Sequence, residues 1–319
     1  MATGGEGAST TLQYLGNGQW LTPGSLGDSF TYMERHSLSR IEVLVVIGMI
    51  SVAGVLLVSA FGRTTQGPRE VACLSNTRRL VDAWQMYARD NHEVLLWAYG
   101  SHSNMAPYVW SGPAGYPWDI APETPSNPGN WDRTNTIARS RLWSYCGKSA
   151  EPWHCPADSS TGLTPSGVRV PRPRSYSMNS WVGGDGDAAP LYQVWSTDQP
   201  WVVYRKLGDL VRPGPASTWV LMDEHADSIN DGSLVVQMRG YTGTPNDREQ
   251  IVDFPASSHG HGAGVGFADG HSEIHKWLDA HVFKPSVIMP SALPNSPDVF
   301  WLQDHSTRLR SSGVSTTNP

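Results

Sequence analysis

The sequence predicts an α+β fold in which a long N-terminal membrane-spanning helix packs on an antiparallel sheet with a loop-rich head. Three observations lead to this prediction. An apolar segment lies near the N-terminus, a second helical period follows it, and short strand-like runs fill the second half of the chain. The many glycine, proline and tryptophan residues, 32, 24 and 14 of them, indicate loops held in place by aromatic side chains.

The first element is the segment Leu38–Phe61, LSRIEVLVVIGMISVAGVLLVSAF. From Val43 onward it carries no charge, and as a helix at about 1.5 Å per residue it would reach about 28 Å, roughly a bilayer core. Glu42 stands at the start of this run, where a carboxylate is costly unless a cation meets it. Arg35 and Arg40 precede the run, which favours a cytoplasmic N-terminus and a head on the other side.

These residues resemble the prepilin-type cleavage and methylation signal of type IV pilins and type II secretion pseudopilins. Ser37 takes the place of the small residue, usually glycine, and Arg40 replaces an apolar residue of the family pattern. The resemblance implies a pilin-like fold and cleavage by a prepilin peptidase that leaves methylated Leu38 as the first residue. It also implies that Glu42 neutralises a neighbouring subunit's amine during filament assembly. The alternative is a plain signal anchor whose Glu42 reaches the interface.

Composition and cysteine usage exclude several classes of protein. The net charge of −6, with only 16% of residues charged, gives no electrostatic footprint for nucleic acid. The three cysteines are Cys73, Cys146 and Cys155, and both Cys146–Cys155 and Cys73–Cys155 are open as disulfide pairs. Because no C-x-x-C is present, neither a zinc ribbon nor a thioredoxin-like redox site is supported.

The chain divides by sequence into three regions. We expect a disordered N-terminus and leader over residues 1–37, a transmembrane and amphipathic helix over 38–91, and an extracytoplasmic globular head with a C-terminal hairpin over 92–319. Met33 by itself would begin a short leader of the kind this family carries. The expected location is therefore the inner membrane, with a single pass and the head in the periplasm.

The second element is the helical period over Arg69–Asp90, after Gly67-Pro68, which we expect to interrupt or kink the helix. One apolar stripe recurs at three- and four-residue steps and predicts a core-facing side. Its members are Leu74, Thr77, Val81, Trp84 and Ala88. The predicted strands are Arg174–Trp181, Thr218–Met222, Ser233–Met238, Gly262–Ala268 and Ser272–Trp277.

The acidic connection after the Thr218–Met222 strand predicts a calcium site, because calcium takes six to eight oxygen ligands in irregular geometry. The candidate ligands are Asp223, Glu224, Asp227, Asn230 and Asp231. Pseudopilins commonly hold calcium in the head, so the resemblance points the same way, although the spacing is not that of an EF-hand. The alternative is that these side chains cap turns. Calcium is the one candidate cofactor.

The last motif is His259, nine residues, then Asp269-Gly270, which matches the C-terminal signature of a subfamily of the same proteins. Asp-Gly between two strand-like runs predicts a hairpin with a type I′ turn, and glycines in the first run allow another backbone to approach closely. A zinc site is the alternative role of its histidines, which are His259, His261, His271 and His275.

Two function classes follow. The first is a non-enzymatic structural subunit of a type II secretion pseudopilus or type IV pilus-related filament, whose partners are other pilin-like subunits, the prepilin peptidase and the inner membrane. The second is a membrane-anchored glycan-binding module or metal-dependent hydrolase, suggested by the aromatic residues of 97–131 and by the histidine hairpin. No nucleophile elbow, phosphate loop or paired-carboxylate spacing supports catalysis.

Overall fold

The longest element is a helix of 51 residues, α1 (Arg40–Asp90), which continues through Pro68. The computed structural model describes residues 13–15, 19–21, 39–98, 128–133, 137–183, 201–230 and 232–310, with the backbone alone for 13–15, 19–21 and 53–66. The interruption predicted at Gly67-Pro68 is wrong. A proline ring removes one backbone donor, which a helix of this length absorbs without ending.

The chain divides into two compact units, residues 1–58 and 59–319. In the first, β1 (Gln13–Leu15) pairs antiparallel with β2 (Gln19–Leu21), within the region expected to be a disordered N-terminus and leader. The same unit holds the first turns of α1, where Ser39 and Glu42 form a capping box. The Ser39 backbone N–H donates to Glu42 Oε2 at 2.7 Å, and the Glu42 N–H donates to Ser39 Oγ at 3.3 Å.

The second unit is built on a five-stranded sheet in the order β10-β9-β6-β5-β7. Its strands are β5 (Tyr176–Asn179), β6 (Trp219–Asp223), β7 (Ser233–Leu234), β9 (Gly262–Phe267) and β10 (Ser272–Lys276). All neighbours are antiparallel except β5 and β7, which pair in parallel. Two small antiparallel pairs lie beside it, β3 (Thr161–Leu163) with β4 (Arg169–Pro171), and β8 (Gln250–Ile251) with β11 (Ser291–Ala292).

Two hydrophobic cores flank this sheet. One lies between the C-terminal half of α1 and the sheet and contains Leu80, Trp84 and Leu221. The other contains Trp219 and Met222 together with residues of α3 (Pro297–Asp304), which follows the short α2 (Ala280–Phe283). The stripe predicted on α1 is confirmed, because four of its members are fully buried and only Leu74 is half-buried.

The predicted fold class is wrong in two respects. The sheet is mixed rather than antiparallel, because β7 pairs in parallel with β5, on the opposite side of β5 from β6. In addition, no helix within the described residues is both long and apolar enough to cross a membrane. The apolar run Val43–Phe61 reaches into residues 53–66, whose side chains lie outside the description. The observed architecture is a mixed α/β fold with one five-stranded sheet.

The C-terminal hairpin is confirmed, but its turn differs from the prediction. The Gly270 N–H donates to the Phe267 carbonyl, and Gly270 has φ of +99° while Asp269 is not in the left-handed region. A type I′ turn requires positive φ at both central residues, so this is a type I turn followed by a left-handed glycine. Asp269 and Gly270 therefore set the turn between β9 and β10.

Candidate metal centre

Four buried side chains from distant parts of the sequence meet in one place in the second unit. They are Cys73, Cys155, Asp223 and His259, and one potential ligand atom from each lies within 4.8 Å of all the others. We call this set the four-residue centre. No more than 1% of any of these residues is exposed. Two thiols, a carboxylate and an imidazole in contact with one another can bind a metal ion.

Each ligand is positioned by a different element. Cys73 lies on the buried face of α1, and Asp223 is the last residue of β6. Cys155 follows a single 3₁₀ turn, Glu151–Trp153, and its backbone N–H donates to Ser175 Oγ at 3.0 Å. His259 precedes β9, with its N–H donating to the Gly262 carbonyl at 3.1 Å. The helix, the sheet and two loops therefore each contribute one side chain to the four-residue centre.

The distances in the centre show which atoms face each other. Cys73 Sγ lies 3.1 Å from Asp223 Oδ2, and Cys155 Sγ lies 3.1 Å from His259 Nε2. The same Nε2 is 3.3 Å from Asp223 Oδ2. Within the described residues, His259 Nδ1 and Asp223 Oδ1 are buried and have no hydrogen-bond partner.

Outer groups contact the ligand atoms, among them the Ala157 backbone N–H, which donates to Cys155 Sγ at 3.4 Å. The Gly264 backbone N–H donates to Asp223 Oδ2 at 3.1 Å, and the Tyr176 hydroxyl lies 3.2 Å from Cys73 Sγ. A Cβ on Gly264 would lie 2.5 Å from Cys73 Sγ and 3.2 Å from Asp223 Oδ2. The close approach predicted at the glycines of this strand is confirmed, but at Gly264 the approaching group is the Cys73 side chain of α1 rather than another backbone.

The protonation of the centre is perturbed by contact between its own members. The hydrogen bond with Cys155, burial and the Asp223 charge together raise the pKa of Cys73 far above its usual range. The hydrogen bond from Cys73, followed by that from His259, lowers the pKa of Cys155. Burial by itself would lower the pKa of His259, but the hydrogen bonds to Asp223 and Cys155 outweigh it and raise the pKa to about 9. These are protons that a bound cation would displace.

A cavity of about 330 Å³ adjoins the centre, and both Cys155 and Asp223 contribute to its wall. Three further carboxylates line it, those of Asp158, Glu224 and Asp227. Asp158 Oδ2 accepts the Ser175 hydroxyl at 2.6 Å, so the wall on that side is hydrogen-bonded to the loop that carries Cys155. The centre is thus buried, yet an acidic opening lies beside it.

The predicted calcium ligands occupy different positions within the described part of the chain. Asp223 belongs to the four-residue centre, and Glu224 is buried and accepts the Ser177 hydroxyl. Asp227 is exposed and Asn230 half-buried, whereas Asp231 lies outside the description. The carboxylates of Asp223, Glu224 and Asp227 all line the cavity, but only Asp223 belongs to the four-residue centre.

The histidine motif is separated by the fold. His259 enters the centre, whereas His261 stacks on Phe283 with ring centroids 4.2 Å apart. His271 stacks on Phe267 and contacts Asp269, and His275 stacks on Trp301 at 3.8 Å. A zinc site made by the four histidines together is therefore wrong for the described residues, and only the first of them is a candidate ligand.

The residues predicted for processing and assembly have different outcomes. Ser37 and Leu38 lie outside the described residues, so cleavage between them stays a prediction. Glu42 is described and caps α1, and the hydrogen bond from the Ser39 backbone lowers the pKa of its carboxyl group. Of the aromatic residues considered for glycan binding, Tyr99 to Trp118 also lie outside the description.

Sequence reasoning missed Cys73 and Cys155 as ligands. It treated the cysteines only as disulfide candidates, because ligand pairs at zinc sites are usually recognised by close spacing. In the structure all three cysteines are free, and Cys146 is not part of the centre. No spacing within a short window could have identified them, because Cys73 and Cys155 lie far apart in the sequence and far from Asp223 and His259.

Comparisons with protein-family models, curated proteins and solved structures found no match to this chain.

Proposed function

We propose that this chain is a structural subunit of a filament of the type II pseudopilus or type IV pilus kind. The observation that carries the proposal is the surface of the first turns of α1. Every described side chain from Ser39 to Val52 is exposed, among them nine large apolar ones. They are Ile41, Val43, Leu44, Val45, Val46, Ile47, Met49, Ile50 and Val52.

Scattered exposed apolar residues need no explanation, but a contiguous apolar surface around a helix does. Each Å² of apolar area left in water costs about 25 cal/mol, which a partner surface recovers. The same helix of a neighbouring subunit is one such partner. The resemblance to prepilins implies this packing of helices in a filament. Processing by a prepilin peptidase and location at the inner membrane belong to this proposal.

Glu42 is the residue through which assembly is most directly tested. Its carboxylate lies at the start of the apolar surface and accepts the Ser39 backbone N–H at 2.7 Å. In the proposed filament it pairs with the amine of a neighbouring subunit. The capping box gives Glu42 a competing local role within its own helix, and the two roles respond differently to substitution.

Two substitutions separate these roles. Glu42→Gln keeps a side chain suited to the capping box but removes the charge, whereas Ser39→Ala removes the cap's hydroxyl and keeps the charge. We expect Glu42→Gln to lose most crosslinked subunit–subunit product in cells, while Ser39→Ala keeps it. Assembly that survives Glu42→Gln and fails with Ser39→Ala would reduce Glu42 to a helix-capping residue and remove the charge-pairing account.

Calcium is not the metal that the centre's donors favour. Calcium binds oxygen ligands, whereas the four-residue centre offers two thiols and an imidazole beside one carboxylate. The oxygen-rich residues of the acidic connection line the neighbouring cavity instead. The proposed subunit function needs no calcium, and calcium in that connection stays a prediction.

The enzymatic alternative has weaker support. In a nucleophile–histidine–carboxylate relay, the orienting acid contacts the ring nitrogen opposite the nucleophile. Here Cys155 and Asp223 both face His259 Nε2, and Nδ1 has no hydrogen-bond partner among the described residues. Because the thiol and the carboxylate face the same ring nitrogen, the three groups do not form a catalytic relay. We therefore propose a non-enzymatic protein.

A further inference from the structure

We propose that the four-residue centre is a structural zinc site, which fastens the C-terminal half of α1 to the sheet through Cys73, Cys155, Asp223 and His259. This inference is independent of filament assembly. It rests on the geometry of the centre, on the chemistry of its donors and on the way the surrounding fold closes over it.

The four donor atoms all lie within 4.8 Å of one another. Zinc in proteins takes four ligands in a tetrahedron, with Zn–S distances of about 2.3 Å and Zn–N or Zn–O distances of about 2.0–2.2 Å. Ligand atoms around such an ion are therefore between 3 and 4 Å apart, roughly. The measured contacts from Cys73 to Asp223, Asp223 to His259 and His259 to Cys155 are 3.1, 3.3 and 3.1 Å.

The donor set selects zinc over the hard cations. Thiolate and imidazole ligands suit Zn²⁺, whereas Mg²⁺ and Ca²⁺ are bound by carboxylate, carbonyl and water oxygens. Two thiolates and one carboxylate around a divalent cation leave one net negative charge. The Gly264 N–H on Asp223, the Tyr176 hydroxyl beside Cys73 and the Ala157 N–H on Cys155 face this charge, in the positions that outer-shell groups occupy at metal sites.

A buried carboxylate oxygen also favours a cation at this point. Asp223 Oδ1 is buried without a hydrogen-bond partner in the described part of the chain, which is unfavourable for a charged group. A buried carboxylate next to two thiols is stabilised by a positive ion at the point they share. The cavity lined by Asp158, Glu224 and Asp227 gives a cation an acidic route from solvent to Cys155 and Asp223.

The role assigned to zinc is structural because the site is closed. Four protein ligands complete the tetrahedron, and none of them is more than 1% exposed, so no position is left for water or substrate. The ligands come from α1, β6 and two loops. The ion therefore adds a shared link between segments that packing and hydrogen bonds, such as the one from Asn76 Nδ2 to the His154 carbonyl at 3.0 Å, already bring together. Its binding free energy adds to folding.

A disulfide between Cys73 and Cys155 is the rival use of the same two thiols. It would remove both as zinc ligands, and it leaves Asp223 and His259 buried without a cation. Thiol alkylation of the wild-type protein distinguishes the two uses. Zinc binding keeps both thiols reduced, so they can be alkylated once the metal is chelated, whereas a disulfide blocks this reaction.

The test uses the full-length chain, purified without chelator, and measures zinc by elemental analysis. Cys146→Ser is the matched control, because Cys146 is also buried but lies outside the centre. We expect about one zinc per chain in the wild type and in Cys146→Ser, and at least a tenfold lower content in Cys73→Ser and Cys155→Ser. Replacing zinc by Co²⁺ in the wild type should give the absorption of tetrahedral cobalt with thiolate charge-transfer bands.

The cobalt spectrum keeps the proposal open to refutation even if a variant fails to fold. A wild-type spectrum without thiolate bands, zinc retained in both Cys73→Ser and Cys155→Ser, or a Cys73–Cys155 disulfide found by peptide mass spectrometry would each overturn it. If zinc binds only when it is added in excess, and Cys146→Ser loses as much zinc as Cys73→Ser and Cys155→Ser, the metal is an adventitious ion only. That result would also overturn the proposal.

Discussion

A methyl group added at Gly264 should enter the metal centre, whereas the same change two residues later on β9 should not. A Cβ at Gly264 would lie 2.5 Å from Cys73 Sγ and 3.2 Å from Asp223 Oδ2. A Cβ at Gly266 would instead lie 2.7 Å from Val81 Cγ2. Gly264→Ala and Gly266→Ala therefore make a matched pair, in which both push β9 and α1 apart but only one disturbs zinc ligands.

The magnitudes follow from these contacts. Relief of the clash moves Cys73 Sγ by about 1 Å, because carbon–sulfur contacts lie near 3.5–4.0 Å. A metal site tolerates only about 0.2 Å. Overpacking costs about 1–3 kcal/mol, which lowers the melting temperature by about 2–12 °C in a domain of this size. A rotation of the Cys73 side chain lessens that cost but removes its sulfur from the centre.

The assay is thermal unfolding with and without zinc. At a free zinc concentration of about a hundred times Kd, binding contributes about 2.7 kcal/mol and raises the melting temperature by about 5–11 °C. We expect the wild type and Gly266→Ala to show this rise and Gly264→Ala to show little of it. An equal zinc response in the two glycine variants would refute the placement of Cys73 and Asp223 in a shared zinc site.

Two further predictions concern other parts of the chain. If the prepilin resemblance holds, mass spectrometry of the membrane-extracted protein should find a methylated N-terminus at Leu38, unchanged when Ser37 is replaced by glycine; a mature start elsewhere would rule this out. Burial, then the charge of His305, lowers the pKa of His275 to about 4. The pKa of a histidine side chain in the unfolded chain is about 6.5. The neutral His275 ring therefore contributes stability above about pH 6.5. This contribution, on the order of 1–3 kcal/mol, is lost as the pH falls towards 4. When the free energy of unfolding in urea is measured against pH, His275→Gln should reduce its slope between about pH 6.5 and pH 4. The exposed control His281→Gln should leave the slope unchanged, and equal slopes in the two variants would contradict the role of His275.

Local patterns in the sequence predicted the elements whose stability is local. The apolar stripe on α1 and the strand Trp219–Asp223 follow from periodicity, and the hairpin at Asp269-Gly270 follows from its turn residues. The turn type failed because positive φ is confined to Gly270. The predicted strand Ser233–Met238 shortened to Ser233–Leu234, where pairing with β5 ends.

What could not be predicted depends on contacts between distant segments. In the chain β5 and β7 are separated by β6, and no local pattern shows that β7 pairs in parallel with β5. The metal centre joins residues of α1, β6 and two loops, so no spacing within a short window announces it. The sequence instead pointed to neighbouring groups, the acidic residues after β6 and the histidines near β9, and one ligand of the centre came from each of these groups.

In the proposed site one zinc ion joins α1 to the sheet through two sulfur ligands and two nitrogen or oxygen ligands. X-ray absorption at the zinc edge of the full-length protein counts those ligands directly. We expect two sulfur atoms at about 2.3 Å and two nitrogen or oxygen atoms at about 2.0–2.2 Å. A first shell of nitrogen and oxygen alone, or one with a single sulfur, would contradict it.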